Sequence, residues 1–355
     1  MSKNDPMKDL NHLQRYLAEE YIEDYQEHAL TRRQALKYLA AVFGSLAVAN
    51  TVLAGCTPPP VQPPTAAAGA ASLLATPEAT VAASPTPAQI SATATQAVLA
   101  TTATIPTPTP LPVPAGTRVP ADEPAIEAGA VTFPGNGLSL IAYQAKPKGD
   151  GPFPAILVAH ENRGLTDYIK DVTRRLAMAG YVALAVDLLS AQGGTDQVTD
   201  PAQIPAALSG TSPDQLAGYY LSGIEYLQGL PYVDPDRLGM VGFCFGGGMT
   251  WLVATKAPEL KAAVPYYGPN PPLEDVPGIQ AAVLAIYGGE DQRINAGIPA
   301  IEEAMSQNNK VFEKMVYPGA AHAFHNDTGR NYNPQAAEDA WRRTLDWFAT
   351  YVKGG

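Results

Sequence analysis

From residue 121 onward, short apolar runs alternate with segments whose apolar positions recur every three or four residues. The runs AILVAH, YVALAVDLL, RLGMVGF, AAVPYY and AVLAIYG are almost unbroken, as strands are when helices cover both faces of their sheet. Helical spacing marks 168–179, 213–230, 247–255, 298–309 and 334–352. This alternation predicts βαβ units around a mostly parallel sheet. Ahead of it, GAVTFPG and LSLIAYQAKP read as an antiparallel hairpin at the sheet edge, and FEKMVYPG reads as the last strand. The expectation for 121–355 is therefore an α/β domain of three layers, helices on each side of a central sheet.

The first 120 residues follow another pattern. An acidic, helix-prone leader over 1–30 precedes TRRQALKYLAAVFGSLAVANTVLAGC, in which Arg32 and Arg33 stand before an uncharged stretch from 38 to 55 that ends at Cys56. The paired arginines resemble a twin-arginine export signal, and LAGC resembles a lipobox whose cysteine is acylated after cleavage before it. A plain transmembrane anchor is the other reading, though the stretch is short for a ~20-residue span. On either reading, residues 1–55 are a signal segment and the rest is exported and tied to a membrane, through a lipid at Cys56 on the first. Residues 56–120 are rich in Pro, Ala and Thr with little charge and no apolar period. Such a stretch buries too little apolar surface to offset the entropy of ordering, so it reads as a disordered tether; as a flexible coil its ends would lie roughly 45 Å apart.

Composition narrows the function. Of 355 residues 34 are Pro, and the formal net charge is −11. An acidic chain is a poor partner for a phosphate backbone or an anionic lipid surface, which argues against nucleic acid and for a small or neutral ligand. The two cysteines, Cys56 and Cys244, sit in such different contexts that a structural disulfide or a cysteine-based zinc site is not expected.

Cys244 lies in GFCFGGG, between a predicted strand and a predicted helix. That strand, turn and helix is the setting of a nucleophile elbow, with cysteine where serine is commoner. Gly242 and Gly246 leave room for the crossing backbones, and the helix N-terminus is expected to lower the thiol's pKa. A base is then needed. Among His160, His322 and His325, His322 follows the last strand, where this fold class places its base; His160 ends an earlier strand, and His325 is a neighbour in the same loop. The orienting acid is expected after AVLAIYG, where Asp291 stands with Glu290 as its rival. The chain order is nucleophile, acid, base.

Together HENRGL, VDLLSAQGG, GFCFGGG, YGGEDQRI and GAAHAFHND resemble the dienelactone hydrolase (carboxymethylenebutenolidase) family across 121–355. The resemblance implies an α/β-hydrolase fold, and hydrolysis of a small ester or lactone without metal or cofactor. It places a catalytic triad on Cys244, Asp291 and His322, a glutamate that assists thiol activation on Glu161, and an oxyanion hole on the backbone N–H groups of Phe245 and Asn162. Two arginines that hold a substrate carboxylate in the family are replaced here by Ala191 and Asn326, with Arg330 and Arg163 the nearby cations. A promiscuous carboxylesterase is the alternative within the enzyme class, and a ligand-binding lipoprotein on the same fold the alternative outside it.

Overall fold

The computed structural model describes residues 6–56 and 119–354, so the expected tether, but for its ends, lies outside the described residues. Eight strands form one sheet in the order β1-β2-β4-β3-β5-β6-β7-β8. The hairpin of β1 (Ile126–Gly135) and β2 (Leu138–Pro147) makes one edge. β2 also runs antiparallel to β4 (Val182–Val186). The rest of the sheet is parallel: β3 (Phe153–Ala159), β5 (Val233–Phe243), β6 (Leu260–Tyr266), β7 (Ala282–Gly288) and β8 (Phe312–Tyr317). All seven residues of β7 and all five of β4 are buried, which is why those segments read as unbroken apolar runs.

The helices, in chain order, are α1 (His12–Gln26), α2 (Arg32–Phe43), α3 (Leu46–Ala54), α4 (Asp167–Met178), α5 (Gln203–Gly210), α6 (Pro213–Gln228), α7 (Phe245–Ala254), α8 (Gln292–Asn295), α9 (Ile298–Gln307) and α10 (Pro334–Tyr351). α6 and α10 begin where expected because Ser212 and Asn333 cap them and a proline opens each first turn, where its missing N–H costs nothing. α7 packs on β5 and β6, α4 on β2 and β4, and α10 on β6 and β7, which covers both faces of the sheet. The parallel strands end at one rim, and the loops after β3, β5, β7 and β8 carry the candidate chemistry.

The leader packs into the same compact unit as this domain. α1 starts at a capping box between Asn11 and Gln14, and its Leu13, Tyr16, Leu17, Ala18 and Tyr21 are buried in the main core. It lies against α5 and α7. The apolar stretch 38–55 is not one helix: α2 stops at Gly44, whose φ of 63° suits glycine, and Ser45 caps α3. No described helix is long and apolar enough to cross a membrane.

Candidate active site

β5 ends at Phe243 and α7 begins at Phe245, so the whole reversal of the chain falls on Cys244, at φ 58° and ψ −120°. A non-glycine residue in this region is strained and is held by its surroundings. Here Cys244 N–H donates to the Tyr266 carbonyl at 3.1 Å. A Cβ on Gly242 would strike the Gly246 carbonyl, and one on Gly246 would strike that of Ala159; this is the close approach those glycines allow. The turn delivers the sulfur to the rim, with Cys244 only 3% exposed.

The loops after β7 and β8 bring the other two groups. Asp291 caps α8, its Oδ1 accepting from Ile294 N–H at 3.1 Å, which turns Oδ2 toward His322 Nδ1 at 2.5 Å. With Nδ1 donating to that carboxylate, Nε2 faces the sulfur side. The histidine loop is anchored at both ends: Asn331 donates to the His322 carbonyl at 3.0 Å, and Asp327 accepts from the buried Arg175 of α4 at 2.8 Å. Burial would lower the His322 pKa, but Glu20 and Asp291 beside it carry the net shift well upward. Burial likewise works against the Asp291 carboxylate, yet His322 holds it below the usual range.

Two expectations meet a different environment. The helix N-terminus was expected to favour thiolate, but burial, and after it the Glu20 carboxylate, push the Cys244 thiol up despite the opposing pull of His322. Glu161, in the loop after β3, accepts from Asn326 Nδ2 at 2.8 Å. Asn326 thus stands where the resemblance implied an arginine for substrate, and it serves a carboxylate of the protein instead. Burial raises Glu161 to about 7 against the pull of Arg163, His322 and that amide.

His160 is fully buried; its Nδ1 meets the Glu161 carbonyl at 2.7 Å and its Nε2 accepts from Leu188 N–H at 3.1 Å, so it ties two loops together. His325 contacts the Tyr168 hydroxyl at 2.7 Å and is pushed down to about 3 by burial and Arg175. Neither reaches the sulfur by these contacts. Glu290 is exposed to solvent while Asp291 is buried. Asn162 is buried beside Glu161, and Phe245 opens α7, where a backbone N–H has no intrahelical acceptor. A cavity of about 400 Å³ is bordered by Cys244, His322, Asn162, Glu161, Arg163 and Arg330 on the domain side. Arg330 is held by α1, donating to the Glu27 carbonyl at 2.9 Å and its carboxylate at 2.6 Å. Ala191 lies in an exposed turn after β4.

Sequence reasoning missed the other wall, which is α1. The Tyr16 hydroxyl lies 3.0 Å from Cys244 Sγ and 3.4 Å from His322 Nε2. Glu20 Oε1 lies 3.4 Å from His322 Nε2 and 3.9 Å from the sulfur. Arg293 of α8 pairs with Glu20, bonds Glu23 at 2.9 Å and covers the Tyr16 ring at 4.9 Å. The only signal was the amphipathic spacing of LNHLQRYLAEEY, which marks a helix with an apolar side but not where that side goes. Glu20, Cys244 and His322 each offer a ligand atom, all within 4.8 Å of one another, so they could hold a divalent cation of zinc's preferences.

A mostly parallel eight-stranded sheet, with a strained turn between strand and helix and an acid and histidine after later strands, defines an α/β-hydrolase. The dienelactone hydrolase family profile matches residues 140–352, and the chain belongs to that family. A Methylorubrum extorquens protein named "Putative carboxymethylenebutenolidase" is 39% identical over 249 residues, covering 67% of this chain and 86% of its own. An Escherichia coli K12 protein of the same name is 36% identical over 252 residues, covering 67% and 92%. Among solved structures, a "Putative Dienelactone Hydrolase" from Klebsiella pneumoniae superposes with a TM-score of 0.60 at 35% identity, over 64% of this chain and all of that one. A dienelactone hydrolase-like promiscuous phosphotriesterase from metagenomic libraries gives 0.58 at 25% identity, over 64% and 99%.

Proposed function

We propose that this protein hydrolyses small esters or lactones through Cys244. The observation that carries the reading is the convergence of a strained cysteine turn with a His322–Asp291 pair bonded at 2.5 Å. Sγ attacks the carbonyl carbon as its proton passes to His322 Nε2, while Glu161, lining the same cavity, assists activation of the thiol. The carbonyl oxygen gains the electron pair and takes hydrogen bonds from Phe245 and Asn162 N–H. Collapse expels the alcohol, which leaves with a proton from His322. Water then attacks the thioester, His322 takes and returns its proton, and the carbon–sulfur bond breaks to release the acid. Asp291 holds the imidazole tautomer throughout.

The experiment is turnover of a chromogenic acetate ester by the full chain and by Cys244→Ala. Loss of at least ~10³-fold in kcat, with an unchanged circular dichroism spectrum, is expected for a triad member. Turnover near that of the unaltered chain in Cys244→Ala would remove the proposal, and no turnover by either protein would favour a ligand-binding role. The TRR and LAGC patterns support an exported form beginning at an acylated Cys56, while the packing of α1 supports a retained leader. Mass spectrometry of the membrane and soluble fractions identifies the first residue and any acyl group.

A further inference from the structure

We propose that α1 is a working part of the active site and that Tyr16 is a further catalytic residue, its phenol donating a hydrogen bond to Cys244 Sγ whenever that sulfur carries negative charge. The inference rests on Cys244 being the nucleophile and on the form of the chain that retains its leader.

Four observations carry it. The hydroxyl sits 3.0 Å from Sγ, inside the limit for a hydrogen bond to sulfur, and Tyr16 is 2% exposed. The ring is fixed from several sides: the Arg293 guanidinium lies over it at 4.9 Å, Phe245 packs at 6.5 Å, and the neighbouring Leu17 and Ala18 are fully buried. The hydroxyl points at the sulfur and, at 3.4 Å, at His322 Nε2, and a phenol keeps its proton over the range in which a thiol ionises, so it is a donor when the sulfur is a thiolate. Finally, α1 walls the site rather than filling it. The cavity beside it is bordered by Glu20 and Asp24 of α1 as well as by Cys244 and Asn162, so a carbonyl has a way in to the sulfur with α1 in place.

The chemistry assigns Tyr16 two moments. When a base removes the thiol proton, the phenol's O–H stabilises the thiolate before attack. In deacylation, water adds to the thioester carbon, the carbon–sulfur bond breaks, and its electron pair goes to Sγ, where the same O–H receives the returning charge. Between them the sulfur is a neutral thioester and the bond slackens. Glu20 has a positioning role: paired with Arg293, it fixes the turn of α1 from which Tyr16 projects.

The test uses the full chain with Cys56→Ser, which leaves Cys244 as the sole thiol. Tyr16→Phe keeps the ring and removes the hydroxyl. The pH dependence of iodoacetamide alkylation and the steady-state kcat/KM are measured on both. The alkylation midpoint is expected to rise by ~1 pH unit and kcat/KM to fall at least ~10-fold, with the melting temperature little changed. An unmoved midpoint overturns the proposal, with or without a fall in turnover, because a packing role alone leaves the thiol's titration where it was. A rise in kcat/KM also overturns it and makes α1 a plug. The Cys244→Ala comparison separates the two levels: turnover surviving there removes the nucleophile itself, whereas an inert Cys244→Ala beside an unaffected Tyr16→Phe removes only the role of Tyr16.

Discussion

Glu161 shows how a single carboxyl couples the site to pH. Buried in the loop after β3, it has the Asn326 amide as its hydrogen-bond donor and is held up to about 7 chiefly by burial. An unfolded glutamate titrates near 4.5. Between those values the native state binds more protons than the unfolded chain, so stability falls as pH rises through the interval. Glutamine resembles the protonated acid and carries no charge to bury. Glu161→Gln is therefore expected to melt higher than the unaltered chain at pH 8, with the difference shrinking as pH falls and vanishing below about pH 4, as calorimetry at pH 8 and pH 4 would show. A constant offset across that range would mean that packing, not ionisation, sets the effect.

At the scale of elements, the buried strands and the helices between them were readable, because a strand covered on both faces leaves an apolar run that few other structures leave. β7 matches AVLAIYG residue for residue, while β5 runs back to Val233, through the polar residues Asp234, Asp236 and Arg237 that no apolar run would include. The leader was readable as helix and charge but not as part of the site. Its apolar positions state that α1 has a buried side, whereas the partner surface on α5 and α7 lies far along the chain, in residues 203–254. Gly44–Ser45, a stop followed by a cap, was the local sign that the stretch from 38 to 55 is two helices. Because α1 is docked through side chains such as the fully buried Leu17, Leu17→Ala should loosen this element selectively. A cost of at least ~2 kcal/mol corresponds to roughly 30-fold faster amide exchange over residues 12–26, with the sheet little affected. Hydrogen-exchange mass spectrometry reads both, and equal acceleration throughout would show that α1 and the sheet open together.

For the molecule as a whole, charge bears on what the cavity would admit. The chain carries 34 acidic against 23 basic side chains, and the cavity concentrates the excess: Glu20, Glu23, Asp24, Glu27 and Glu161 face it against Arg163 and Arg330. Arg330 is already spent on Glu27. A substrate carboxylate would enter without a free partner at the positions held by Ala191 and Asn326, and an ill-compensated charge in a partly dry site is costly. A lactone bearing a free carboxylate is thus expected to have a kcat/KM at least ~10-fold below that of its methyl ester, ~1.4 kcal/mol, and the gap should narrow with added salt. Preference for the acid, abolished by Arg330→Ala or Arg163→Ala, would show that one of these cations binds it. The placing of Cys244, Asp291 and His322 at one rim was legible from strand ends and loop positions; the acidity of the cleft was not, since most of it comes from α1. The turn at Cys244 bears on the molecule in another way. Its positive φ is a conformation that glycine adopts freely and cysteine does not. Glycine there would relieve the turn and take the sulfur away with it, so the fold carries this side chain at the expense of its own stability.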